Sequence, residues 1–212
     1  MKWTVGAVLM AAIGLGSWGL AETVLHNGDR ARNAVQSDTS TTGPTDHRTP
    51  GQALRISAAQ EFSPLAPPIA GGDVHFAIDG KSATPWITSH YDGYPDFGNL
   101  PSRKEGGGIW VDLGSVQRVT GVEVDFPVAG QSVDLRALPK DAGDPSGADL
   151  SSWTKVLSKS GQAGTTLDVT LPHPVQTRYV LVHLSALPPM PGGGSTYRGG
   201  ISEIKVFGRP GA

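Results

Sequence analysis

The stretch VQRVTGVEVDF, residues 116–126, sets Val122, Val124 and Phe126 against Glu123 and Asp125 in strict alternation. A two-residue period sends one set of side chains to one face of a strand and the other set to the opposite face. This strand looks inward on one side and is wet on the other, as an antiparallel sheet over a single core requires. Working outward, the chain reads as short apolar or alternating runs cut by clusters of Gly, Pro, Asp and Asn. That is the pattern of an all-β domain of about eight antiparallel strands. Upstream lie Leu54–Ser57, Val74–Ile78 and Ile109–Leu113; downstream lie Val133–Leu138, Trp153–Leu157, Thr165–Leu171, Arg178–Leu184 and Ile201–Phe207. Arg178–Leu184 is nearly continuous in apolar residues, which predicts a central strand, and such a set closes as a two-sheet sandwich. The 29 glycines and 17 prolines among 212 residues argue the same way, because helix interiors tolerate these residues worst.

Composition also excludes functions. A net charge of -2 supplies no cationic field for nucleic acid. The absence of cysteine removes disulfides, thiolate metal sites and cysteine nucleophiles together. The histidines, His26, His47, His75, His90, His173 and His183, show no HExxH spacing, and no GxSxG elbow occurs. The acids fall at turns or on outward strand positions such as Glu123 and Asp125, so no enzymatic activity is expected. Gly192–Gly194 lacks the Lys-Ser/Thr of a phosphate-binding loop and reads as a hairpin connection.

The chain opens on a different physics. Trp3–Ala21, WTVGAVLMAAIGLGSWGLA, carries no charge and approaches the roughly 20 residues that a helix needs to cross a bilayer. Two readings compete: a retained anchor, or a signal peptide with Lys2 as its n-region and Gly19-Leu20-Ala21 as its cleavage site. A run longer than the usual h-region favours the anchor. Residues 1–25 are thus expected to form one N-terminal transmembrane helix (or a signal peptide). Residues 26–53, almost devoid of large apolar side chains, form a disordered polar linker, 54–208 the β-sandwich, and 209–212 a tail. The expected location is the cell membrane, single-pass through residues 3–21 with the C-terminal domain extracytoplasmic; the alternative is secretion after signal cleavage.

Three motifs in order, FAIDGKSATPW at 76–86, GIWVDLG at 108–114 and ISEIKVFG at 201–208, resemble the discoidin, or coagulation-factor type C, domains of the galactose-binding-like superfamily. Further segments, EFSP at 61–64, TSHY at 88–91 and DFGNL at 96–100, are similar to the extracytoplasmic C-terminal domain of bacterial MviN-type lipid flippases and related membrane-anchored kinase-like proteins. The chain has the helix and linker of that arrangement but no kinase motif and no multi-span region. The resemblance implies a jelly-roll β-sandwich acting as a non-catalytic, membrane-anchored binding module for cell-envelope carbohydrate, peptidoglycan or a lipid-linked precursor. The alternative it leaves is a protein-protein docking or regulatory domain of an envelope assembly system.

Site residues follow from the same resemblance. A structural calcium would tie the loop after the Asp79-Gly80 turn to the last strand through Asp79, Thr84 and Glu203, oxygen donors of the hard kind calcium prefers. The competing reading closes that loop by hydrogen bonds alone, or by pairing Lys81 with Glu203. Ligand contacts are expected on loops at one end: His90, Tyr91, Tyr94, Asp96 and Phe97 after Trp86, Arg103 and Lys104 before Gly106, and Tyr197 with Arg198 beyond the glycine run. Aromatic faces stack on sugar C–H surfaces, and guanidinium groups meet carboxylates or phosphates. Tyr91 and Phe97 have a plainer reading as plugs that seat the loop on the sandwich, and Trp86, Trp110 and Trp153 are expected to be packing residues.

Overall fold

Strand pairing in the computed structural model, which describes residues 51–210, is antiparallel throughout. In chain order the strands are β1 (Gln52–Ala53), β2 (Ala58–Phe62), β3 (Trp86–Ile87), β4 (Tyr91–Asp92), β5 (Gly107–Asp125), β6 (Ser132–Ala137), β7 (Lys155–Ser160), β8 (Thr166–Ala186), β9 (Thr196–Tyr197), β10 (Gly200–Ile201) and β11 (Glu203–Pro210). The expected membrane helix and nearly all of the linker fall on residues 1–50, outside the described residues. Among those described, no helix is long and apolar enough to cross a membrane.

The organising unit is the ribbon of β5 and β8. Their first pairing, Gly107–Asp112 with Leu184–Tyr179, resumes at Gln117 with Thr177 after a bulge at Leu113–Val116. On one side of that bulge β5 also pairs with β2, and on the other with β11. β6 and β7 extend the first half, and β1 extends β11. Inward residues from both halves, Ile109, Val111 and Leu113 with Val119, Val122 and Val124, share one buried cluster with Val180, Val182, Leu184, Ile204 and Val206. The ribbon therefore folds over on itself, and its two halves become the two layers of the sandwich. Each such buried aliphatic side chain contributes roughly 1.5–3 kcal/mol relative to exposure.

A second cluster occupies the outer face of the first half. Trp110, Tyr179 and Leu181 alternate with the inward set and are covered, together with Phe62 and Trp153, by the 138–154 connection. Both faces of the middle of β8 are thus buried, which accounts for its near-continuous apolar sequence.

Several expected strands take other forms. Val74–Ile78 lies in a 3-10 helix, Gly71–Ile78, because its buried residues Val74 and Ala77 are spaced by three, the period of that helix, and not by two. Leu54–Ser57 is extended but unpaired as a strand; Leu54 N donates to Val206 O at 2.8 Å and Ser57 N to Asp112 O at 2.7 Å, so the segment passes from one layer to the other. The sheet begins at Gln52, inside the stretch read as linker, and runs to Pro210, inside the stretch read as tail. Trp153 precedes β7 and is fully buried in the outer cluster. Trp86 and Trp110 are buried as well, so all three tryptophans are packing residues.

Candidate functional site

The 88–106 loop is seated by its aromatic residues. Tyr91 pairs with Tyr197 across β4 and β9, and its ring meets that of Phe97 edge-on at 5.2 Å. Phe97 is completely buried and holds a positive φ of 56°, a strained backbone for a bulky residue that the packing of its ring sustains. Burial pushes the Tyr91 phenol above its ordinary pKa, with Arg103 opposing. These two rings are turned to the interior, as the plainer reading of them as plugs requires. Arg103 is also committed: its guanidinium donates to Ser63 Oγ and to Pro67 O at 2.7 Å, pinning the loop after β2. Beside it Glu61, part of the EFSP motif, accepts from the Ile69 and Ala70 amides and from the Trp86 indole at 3.4 Å. Of the remaining expected contacts on this loop, His90, Tyr94 and Asp96 are at the surface, Tyr94 at 57% exposure.

Beyond β8 the chain turns through Pro188, Pro189, Met190 and Pro191 and returns along β9. Met190 N donates to Thr196 O at 2.8 Å, and Gly192 and Gly194 take positive φ at the tip, so the glycine run is a hairpin connection. Arg198 follows, exposed, with its backbone N–H donating to Pro188 O at 3.1 Å and its Nε to Thr88 O at 3.0 Å.

Two buried polar side chains fix this strip. Thr88 Oγ1 accepts from Gly199 N at 3.1 Å, and Gln131 both accepts from Gly200 N and donates to Gly200 O at 2.9 Å. Thr88 also donates its Oγ1 to Ser89 O at 2.8 Å; Thr88 and Gln131 are 1% and 0% exposed, so they act through these internal contacts. Gln131 is not singled out by the sequence, where it looks like an ordinary loop residue, and Thr88 enters only as the first residue of the TSHY segment, with no role attached to it. The result is a groove of about 200 Å³, walled by Ile87, Pro127, Val128, Pro189, Met190 and Pro191, with Gly199 and Arg198 completing it. No aromatic ring lines it. Tyr197 is half-buried beside Arg198 in sequence but is not part of the lining.

The expected calcium residues are brought near one another, outside the groove lining. Asp79 accepts from Lys81 N and from Thr84 Oγ1, both at 2.8 Å, and the Thr84 hydrogen bond is the main cause holding its carboxyl below the ordinary range. Glu203, 5% exposed, is pushed up by burial and by the Asp79 charge, with the Gly80 and Lys81 amides working the other way. Its Oε2 is buried without a hydrogen-bond partner. An orphaned carboxylate oxygen facing a second carboxylate is a poor arrangement alone and a fitting one for a hard cation. The turn leads into β3 and Glu203 follows β10, so the two acids adjoin, in the chain, the paired strands that carry Ile87 and Gly200.

No known protein-family model matches the chain. It is similar in structure to chitosan-binding module 1 derived from a chitosanase/glucanase of Paenibacillus sp. IK-5, at 23% identity and a TM-score of 0.51, covering 74% of this chain and 98% of that one. It is likewise similar to chitosan-binding module 2 from the same enzyme, solved in complex with chitotriose, at 21% identity and a TM-score of 0.50, again covering 74% of this chain and 98% of that one. The described domain shares the fold of these modules, an antiparallel β-sandwich.

Proposed function

We propose that this chain is a non-catalytic, membrane-anchored module that binds carbohydrate of the cell envelope, peptidoglycan or a lipid-linked precursor, outside the cytoplasm. The observation that carries the binding reading is the groove beside Arg198, held by Thr88 and Gln131. A concave surface whose loops are ordered on folding loses little further entropy when a ligand arrives, which favours affinity. The fold is one on which chitosan-binding modules are built, one of them holding chitotriose. The uncharged run at 3–21 and the segments similar to MviN-type extracytoplasmic domains favour the envelope as the place of action. A structural calcium at Asp79, Thr84 and Glu203 would neutralise the acid pair and tie the turn before β3 to the residue after β10; it has no catalytic part.

A second reading, docking of an envelope protein, is favoured by the aliphatic and proline walls of the groove, which also suit an apolar side chain. The test is co-sedimentation of the full chain, in mild detergent, with purified peptidoglycan sacculi, with and without EDTA. Saturable binding competed by soluble muropeptides supports the glycan module. Absence of binding by folded protein sinks the peptidoglycan version and leaves the docking reading.

A further inference from the structure

The groove combines two chemistries that a neutral polyol would not exploit. Its walls are aliphatic and proline, and proline offers no N–H, so the hydroxyls of an ordinary sugar ring would be desolvated there without partners. What fills it must be an apolar substituent. Arg198, in contrast, presents an oriented charge: its Nε is tied to Thr88 O, which fixes the plane of the guanidinium and leaves the Nη groups uncommitted. Arg136, Arg178 and Lys205 each have a carboxylate within 2.9 Å, and Arg103 spends its Nη groups on Ser63 and Pro67; among the described residues Arg198, like Arg55, Arg118 and Arg209, has no ion pair, and of these four it is the one that lines the groove. A planar fork held in this way matches a carboxylate.

We infer that the groove beside Arg198 recognises an acidic, acylated sugar, its carboxylate on the Arg198 fork and its acyl or alkyl methyl groups against Val128 and the Pro189–Pro191 wall. This rests on the glycan-binding reading and narrows it to a chemical class. The ether-linked carboxylate and N-acetyl group of N-acetylmuramic acid are an example of that class.

The test is calorimetric titration of the full chain in detergent with N-acetylmuramic acid, its methyl ester, N-acetylglucosamine 1-phosphate and chitotriose, each against wild type, Arg198→Gln and Arg198→Lys. The free acid should bind at least about tenfold more tightly than its ester, the equivalent of one charge-assisted pair. Arg198→Gln should erase that difference, and Arg198→Lys should keep part of it, because the charge remains while the fork is lost. Equal affinity for acid and ester, a preference for the phosphate, or an acid preference that survives Arg198→Gln overturns the inference while chitotriose binding keeps the glycan reading alive. Failure of folded protein to bind any of the four overturns both.

Discussion

Gln131 and Gly200 exchange two hydrogen bonds at 2.9 Å, a side-chain amide taking the place of a strand partner for a backbone that has no room for a side chain of its own. Gln131→Leu keeps the volume and removes both partners, leaving a buried N–H and C=O unpaired. A loss of about 2–4 kcal/mol is expected, read by urea unfolding, together with weaker glycan binding than the stability loss alone explains. Unchanged stability would show that this clamp is not needed.

Phe97 seats the 88–106 loop from within. Phe97→Ala should cost about 3–5 kcal/mol, the usual range for a fully buried aromatic ring, and Tyr94→Ala less than about 0.5 kcal/mol, as for an exposed residue. Thermal unfolding of the two variants compares them directly; similar losses would contradict the packing described.

Glu203 sets the behaviour without calcium. Its raised folded pKa means that the folded state holds a proton there more tightly than the unfolded chain. The stability this gives is present below the ordinary glutamate pKa, about 4.3, and is lost as pH rises through the folded value. Asp79 acts oppositely: its lowered pKa contributes above the ordinary aspartate value, about 3.9, and that contribution is lost as pH falls. In EDTA, Glu203→Gln should therefore melt higher than wild type at pH 7 and equally at pH 4. Calcium should raise the wild-type midpoint at pH 7 and leave the variant unmoved. A wild type indifferent to calcium would mean that hydrogen bonds alone close the loop.

His183 is buried on the outer face of β8, with Nε2 2.7 Å from Glu105 O and Nδ1 3.9 Å from Asp134. Burial is the main cause lowering its pKa, against the Glu105 carbonyl and Asp134. Stability from the neutral ring is complete above about 6.5 and declines as pH falls toward the folded value. Urea midpoints should drop between pH 7 and pH 5, and His183→Gln should reduce that drop; an equal drop in the variant assigns it to other groups.

The parts of the fold legible in the sequence are those where burial follows a simple period. Val122, Val124 and Phe126 alternate, and so Val122 and Val124 share one face of β5 and Phe126, one residue past its end, joins the same buried cluster. Val74 and Ala77 do not announce their spacing of three within an apolar run, which is why a 3-10 helix stood where a strand was expected. Asp79, Thr84 and Glu203 are grouped only through resemblance, since nothing local ties residue 79 to residue 203. Thr88 is legible only as the first residue of the TSHY segment, with nothing to mark its role, and Gln131 leaves no signal at all. Their partners lie 111 and 69 residues away, and a buried polar residue in a loop looks like a solvated one until the chain is closed.

Gln52 lies beside Gly208, and Ala53 beside Phe207, in the pairing of β1 with β11. The strand that starts the sheet and the strand that finishes it are therefore neighbours on one edge. A short peptide joining them would close the domain into a ring without crossing a layer, so new ends cut at the exposed Gly192–Gly194 tip define a workable circular permutant. By the same geometry the domain can be spliced into a surface loop of a host protein, with both junctions a strand's width apart.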